Sequence, residues 1–319
     1  MHPSGFRAGP PVVVASSVMA FACAAAGPSG PAPAPSSVSS TARPVEVIGH
    51  RGARAARPEN TLAAFEYALQ AGADAIELDL AVTRDDRLVV VHDLLLNIDL
   101  CRGPDGQILA DRVPIRAMSF DEVRRLDCGA VRNPRFPGQV PVPGQRIPAI
   151  EEVLSLLRES PLPAVRTARL VAEMKSDPSR PDLGPDPDRA ADLLVAAVRG
   201  SGIADRITVQ SFDHRVLRAV HARDPSIPLA ALVGRERTGN PVEIVRAADA
   251  GIFAPHHEGI LAGDVAVLHA AGMRVTCWTA NGPAAWDRLL GMGVDGIITD
   301  DPAGLIAHLR ARGLRPACP

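Results

Sequence analysis

The chain has 319 residues, 46% of them hydrophobic, with 34 basic and 36 acidic side chains and a formal net charge of −2 at pH 7. That is enough apolar material for one large domain, and the lack of an overall basic field argues against nucleic acid as a partner. The five cysteines, Cys23, Cys101, Cys128, Cys277 and Cys318, contain no Cys-x-x-Cys spacing, which argues against a thiolate zinc site.

Residues 1–22 read as a secretory signal. Arg7 lies in a short N-terminal region, an apolar stretch runs from Pro11, and Ala20-Phe21-Ala22 stands before Cys23. The apolar run is too short for a comfortable membrane span. A cysteine directly after the cleavage site resembles a bacterial lipoprotein box, with Ala20 where Leu is usual. The expectation is an exported protein, periplasmic or extracellular, either held at the membrane by a lipid on Cys23 or secreted with this segment trimmed. Residues 23–44 are almost all Ala, Pro, Gly and Ser; they cannot bury a core and read as a disordered tether.

Residues 45–49 form the first predicted strand, and it ends in His50-Arg51-Gly52. This delivers an imidazole and a guanidinium to one point. Pro58-Glu59-Asn60-Thr61 then leads into a predicted helix over 61–71, which Asn60 or Thr61 caps. Along the second strand, 75–81, side chains alternate, so Ile76, Leu78 and Leu80 share one face and Glu77 and Asp79 the other. Two carboxylates on one face of an apolar strand repel each other and resist desolvation, and a divalent cation removes both objections. A further apolar strand, 88–91, runs into His92-Asp93.

Residues 94–146 are irregular and rich in Pro, Gly and Arg, too long for an ordinary loop. They read as a small inserted subdomain that a Cys101–Cys128 disulfide would staple in an oxidising compartment. From a helix over 151–159 onward, strand and helix alternate. Strands are predicted at 170–175, 207–211, 229–233, 252–254, 274–279 and 296–299. Helices are predicted near 189–199, 214–223, 241–248, 263–271, 284–292 and 302–312, and residues 313–319 form a C-terminal tail. Eight parallel strands, each followed by a helix, favour a closed (β/α)8 TIM barrel over 45–312, with the insertion after the second strand. No Gly-x-Gly-x-x-Gly follows the first strand, which weakens the dinucleotide-binding alternative.

In such a barrel the active site forms at the C-terminal ends of the strands. Those ends hold His50 and Arg51, Glu77 and Asp79, Glu173 and Lys175 (the only lysine), Gln210 and Ser211, then Trp278 and Asn281. Three carboxylates without a cysteine favour a hard cation, Ca²⁺ or Mg²⁺. Two histidines suit general acid and base duty, and Arg51 and Lys175 suit a phosphate. His256-His257-Glu258 is a second cluster, read as rim structure, and His214, His221, His269 and His308 are read as structural or solvated.

The ordered series is specific. His50-Arg51-Gly52, Pro58-Glu59-Asn60-Thr61, Glu77-x-Asp79, His92-Asp93, Ile147-Pro148-Ala149-Ile150-Glu151-Glu152, Glu173-Met174-Lys175, Ser211-Phe212, Trp278-Thr279-Ala280-Asn281 and Asp295-Gly296-Ile297-Ile298-Thr299-Asp300-x-Pro302 together resemble the glycerophosphodiester phosphodiesterase family. The resemblance spans about residues 45–312. It implies hydrolysis of a glycerophosphodiester to sn-glycerol 3-phosphate and an alcohol. Glu77, Asp79 and Glu173 would then bind the metal and His50 and His92 form the acid/base pair. Arg51 and Lys175 would hold the phosphate, with Trp278 against the glycerol. Glu59 is placed behind them, orienting Arg51 or His50 or itself a ligand, with Asn60 beside it. Ala149 and Ile150 depart from the usual Thr and Leu. The rivals are lysophospholipase D or phosphatidylinositol phospholipase C-like activity at a membrane, which predicts an apolar groove lined by the insertion, and a non-catalytic phosphodiester-binding protein.

Overall fold

Nine strands form one sheet: β1 (Glu46–Gly49), β2 (Ala75–Val82), β3 (Leu88–Val90), β4 (Arg169–Met174), β5 (Ile207–Ser211), β6 (Leu229–Val233), β7 (Ile252–Pro255), β8 (Arg274–Cys277) and β9 (Gly296–Thr299). The computed structural model describes residues 44–162 and 165–316. The signal segment, Cys23, nearly all of the tether and the end of the C-terminal tail lie outside the described residues. The sheet runs β1-β9-β8-β7-β6-β5-β4-β2-β3, and β1 pairs β2 as well, so eight parallel strands close into a barrel. Helices α1 (Leu62–Ala71), α3 (Ile150–Glu159), α4 (Pro187–Gly200), α5 (His214–Arg223), α6 (Pro241–Ala247), α7 (Ala262–Ala270), α8 (Pro283–Met292) and α9 (Pro302–Ala311) follow the barrel strands in turn; a one-turn α2 (Phe120–Val123) lies in the insertion. This is the (β/α)8 TIM barrel expected.

The strand period of two sorts the side chains. Ile76, Leu78 and Leu80 of β2 and Leu170, Ala172 and Met174 of β4 are buried in the outer core with Phe65 and Leu69 of α1 and Leu154 and Leu157 of α3. Residues of the other parity fill the barrel. Ile48, Ala75, Val171 and Ile298 form one buried layer, and Ala230, Leu232, Ile252 and Ala254 another. Two residues further along the same strands stand His50, Glu77, Glu173 and Asp300. The apolar plug therefore supports a polar layer. Truncating a fully buried Leu78 or Leu170 to alanine costs about 2–5 kcal/mol.

Two local structures present the site. α1 is capped by Thr61, whose hydroxyl accepts from the Ala64 N–H, and ends at Gly72. Asn60 does not cap the helix; its left-handed backbone turns its side chain toward β2. β3 runs antiparallel to the far end of β2, pairing Leu80 with Val90 and Val82 with Leu88. The hairpin brings the chain back over the barrel mouth, where the Val91 N–H donates to the Asp79 carbonyl and leaves His92 above the acidic strand. The insertion then packs Leu96, Cys101, Ile115, Val123 and Leu126 against Ala81 of β2, Val89 of β3 and Ile147 in a small core, and Cys101 is bonded to Cys128.

Candidate active site

The first strand ends in a turn that only particular residues can make. A Cβ on Gly49 would stand 2.1 Å from the Gly52 carbonyl oxygen, and one on Gly52 would stand 2.6 Å from the Ala64 backbone. Between them Arg51 takes a left-handed backbone, φ 49°, uncommon for a residue with a side chain and a form of strain found at functional sites. The turn aims the Arg51 N–H at Glu77 Oε2, 2.9 Å away, and the guanidinium back at Asp79, with Nε 3.1 Å from Oδ2.

Glu77, Asp79 and Glu173 are buried, and each brings an oxygen within 4.8 Å of the others. Asp79 and Glu173 are register partners across β2 and β4, as Glu173 and Gln210 are across β4 and β5. Lys175 Nζ lies 2.7 Å from Glu173 Oε1 and 3.0 Å from Asp79 Oδ1. Asn60 Nδ2 donates to Asp79 Oδ2 at 2.8 Å. Burial works against the Asp79 anion, but Arg51 and Lys175 outweigh it and hold its carboxyl below the usual range. Among the described residues no cationic side chain is bonded to Glu77. Burial, then Asp79 and Glu173, push it well above the usual carboxylate range. Burial raises Glu173 too, and Lys175 only partly offsets this. Three buried carboxylates face two cations, with one carboxyl forced toward its neutral form. This donor set fits a hard divalent cation, which would restore all three to anions.

The two histidines stand in parallel arrangements. His50 Nδ1 is 2.6 Å from Asp300 Oδ1, and His92 Nδ1 is 2.7 Å from Asp93 Oδ1. A ring whose Nδ1–H donates to a carboxylate keeps Nε2 as its free nitrogen. His50 is the enclosed one, with its side chain 12% exposed against 35% for His92. Burial, against the pull of Asp300, lowers His50 to about 4, so its imidazole is neutral at pH 7. Asp93 is held below its usual range by the bond from His92, and Asn97 Nδ2 donates to its other oxygen at 2.9 Å.

These groups line one cavity of about 600 Å³ at the barrel mouth, with His50, Arg51, Glu77, His92, Glu173 and Lys175 in its wall. Trp278 lines it as well, its indole N–H donating to the Ala254 carbonyl at 2.8 Å and its ring edge-on to Phe212, with centroids 5.3 Å apart. Glu59 pairs with Arg51 Nη1 at 2.5 Å and approaches Arg54 Nη1 at 4.0 Å; it has no bond to His50. Ser211 faces outward, donating to the Met174 carbonyl, while its neighbour Gln210 reaches Glu77 from inside.

Sequence reasoning assigned no role to Asp300, Arg54 or Asn133. Asp300 also takes Arg54 Nε at 2.9 Å and Asn281 Nδ2 at 2.7 Å. Its signal was its place directly after the eighth barrel strand, which closure sets beside the first. Asn133, from the insertion, donates to Glu59 Oε2 at 3.2 Å, and no local pattern announces it. His256, His257 and Glu258 also gather ligand atoms within 4.8 Å. There, however, His256 Nδ1 accepts from the Glu258 N–H, His257 Nδ1 lies 3.2 Å from Arg288 Nη2, and Glu258 pairs with Arg235. That cluster is built as rim structure. His214, His269 and His308 are tied to Leu232, Asp295 and Asp287 and serve the scaffold.

Residues 50–304 match the glycerophosphoryl diester phosphodiesterase family. A glycerophosphodiester phosphodiesterase of Caldanaerobacter subterraneus is 30% identical over 267 residues, covering 84% of this chain and 98% of the relative. The crystal structure of a Silicibacter pomeroyi protein bearing the same family name superposes with a TM-score of 0.78 at 31% identity, covering 84% of this chain and 94% of that one. An Oleispira antarctica phosphodiesterase, solved with the product sn-glycerol-3-phosphate, shares the fold at 22% identity and a TM-score of 0.67, over 83% and 96% of the two chains.

Proposed function

The chain belongs to the glycerophosphoryl diester phosphodiesterase family, and from that premise we propose that it hydrolyses glycerophosphodiesters to sn-glycerol 3-phosphate and an alcohol. The observation that carries the reading is the convergence, in one cavity, of two histidine–carboxylate pairs on a buried cluster of three carboxylates, of which Glu77 and Glu173 line the cavity wall.

Glu77, Asp79 and Glu173 would hold a divalent cation, Ca²⁺ or Mg²⁺ by the hardness of the donors; when bound it supplies positive charge against the phosphate oxygens. Arg51 and Lys175, already aimed into the carboxylate cluster, supply the charge-assisted donors for the same phosphate. One histidine takes the proton of the nucleophile at its free Nε2 and the other returns a proton to the leaving oxygen, each worth about 10²–10⁴-fold. Asp300 and Asp93 hold the tautomers this requires. Trp278 and Phe212 offer an uncharged aromatic wall suited to the glycerol.

The insertion meets the cavity through Asn97, Asp99, Leu100 and residues 133–135, a mostly polar wall, while most of its buried apolar side chains turn toward β2 and β3. This favours water-soluble diesters over the membrane-lipid rivals. We further infer that the protein is exported and tethered through a lipid on Cys23, a reading that rests on the signal-like sequence before that residue. Among the described residues no helix is long and apolar enough to cross a membrane. Full-length Cys23→Ala that stays in the membrane fraction would remove the lipid reading.

The activity is tested with purified protein, glycerophosphocholine and glycerophosphoethanolamine, with and without EDTA. Release of glycerol 3-phosphate that EDTA stops is expected. No release from any glycerophosphodiester, with Ca²⁺ or Mg²⁺ supplied, would refute it.

A further inference from the structure

Of the cations lining the catalytic cavity, Arg51, Arg54 and Lys175 are all bound to carboxylates. Arg135 is the exception. The residue lines the same cavity from the insertion, is exposed, and has no acidic partner among the described residues. An unpaired arginine on an Arg-rich surface is ordinary. Here the backbone that carries the side chain is held in place. The Arg135 N–H donates to Asn133 Oδ1 at 3.0 Å, and Asn133 is itself buried, its backbone N–H donating to Gln139 Oε1 at 2.8 Å and its amide to Glu59 at 3.2 Å. Arg135 also stands close enough to Arg54 for the two cations to repel. Both would be relieved by an anion between them.

The cavity is asymmetric about the carboxylate cluster. Trp278 and Leu232, carried by the later barrel strands, have no charge and suit the constant glycerol arm of the substrate. The insertion side, where Arg135 stands, is left for the variable alcohol. The acids on that side are spoken for: Asp93 by His92 and Asn97, and Asp99 by Arg112. Among the described residues the insertion contributes no aromatic side chain to the cavity wall, so it offers no cage of its own for a quaternary ammonium.

We propose that Arg135 is a specificity-determining residue that selects glycerophosphodiesters whose leaving alcohol carries an anionic group, such as a second phosphate. This rests on the phosphodiesterase reading of the site and names the class of substrate it takes. A guanidinium can meet a phosphate bidentately, while the exposure of Arg135 limits the gain.

The test compares two diesters with the same scissile bond, glycerophosphoglycerol and 1,3-bis(glycerophospho)glycerol, which differ by a second phosphate on the leaving alcohol. Glycerophosphocholine serves as the cationic control. For the wild type, kcat/KM is expected to be about 3- to 10-fold higher for the doubly phosphorylated substrate, after correction for its two equivalent bonds. Arg135→Gln should bring that ratio close to one and leave glycerophosphoglycerol unchanged; Arg135→Lys should keep part of the preference. If Arg135→Gln leaves the ratio where it was, or lowers all three substrates equally, the proposal is wrong while the activity stands. If the wild type turns over none of the three, the reading of the activity fails and takes this proposal with it.

Discussion

His50 Nδ1 and Asp300 Oδ1 lie 2.6 Å apart across 250 residues of sequence, and that bond decides which nitrogen of the imidazole faces the substrate. Asp300 is in turn fixed by Arg54 and Asn281, and the Asp300 N–H donates to Asn281 Oδ1 at 2.9 Å. An asparagine would keep the shape, but its amide nitrogen can confront Nδ1 with a donor and favour the wrong tautomer. Asp300→Asn should lower kcat about 10- to 1,000-fold with a much smaller change in KM. It should also move the acid limb of the rate profile to lower pH, because Asp300 favours the protonated imidazole. A wild-type kcat in a folded Asp300→Asn protein would show that the bond only supports structure.

The same histidine makes stability depend on pH. Its folded value is about 4, against an ordinary 6.5, because burial disfavours the cation. Between those values the unfolded chain binds a proton that the folded chain does not, so stability falls as pH drops through this window and the loss is complete below about 4. From pH 7 to pH 5 His50 should cost about 2 kcal/mol. Urea denaturation of wild type and His50→Gln at the two pH values isolates this contribution. Equal losses in both proteins would place the sensitivity elsewhere.

Glu77 gives a prediction about the metal that does not depend on turnover. Its folded carboxyl is raised by burial and by two neighbouring acids, so without a cation the protein loses stability as pH rises above the ordinary carboxylate value. In EDTA at pH 7, Glu77→Gln should be more stable than wild type by about 1–3 kcal/mol. Millimolar Ca²⁺ or Mg²⁺ should raise the wild-type Tm and leave that of Glu77→Gln nearly unchanged. A destabilised Glu77→Gln protein in EDTA would mean that Gln210 and the Arg51 N–H already satisfy the carboxylate.

The parts of this site carried by strand alternation were legible in the sequence. Glu77 with Asp79 and Glu173 with Lys175 had to share a face once β2 and β4 were recognised, whatever the barrel did. What needed the closed barrel was harder to see. Asp300 follows a strand in plain view, but only the β1–β9 pairing, with the His50 N–H on the Thr299 carbonyl, makes it the partner of His50. Asn60 was expected to compete with Thr61 for the helix cap. Its positive φ, which asparagine tolerates better than most residues, gives it to Asp79 instead. Least legible was the insertion. Asn133, Arg135 and Gln139 act through turns that have no period, so nothing in the sequence distinguishes them from solvated loop residues.

Those turns depend on a staple that the shared place of two cysteines in the insertion did suggest. Cys101 and Cys128 close a segment with a sequence separation of 27, and Cys128 lies only five residues before Asn133. The insertion adds only Leu96, Cys101, Ile115, Val123 and Leu126 to the buried cluster it shares with β2 and β3, little to order a segment of this length. Removing a cross-link of this span from the unfolded chain costs about 3–4 kcal/mol on the loop-entropy estimate. The Cys101→Ser/Cys128→Ser protein should lose stability of that order. The loss should spread unevenly, because the insertion touches the catalytic turn through Asn133 on Glu59 and through Gln139 on the Arg54 and Arg57 carbonyls. Hydrogen exchange should therefore rise first in residues 97–145 and in the loop between β1 and α1, with β5 to β8 protected as before. kcat should fall because Arg51 and Arg54 lose their backing while the carboxylate cluster stays intact. A double-serine protein that loses stability uniformly, with kcat unchanged, would show that the disulfide stabilises the fold without supporting the catalytic turn.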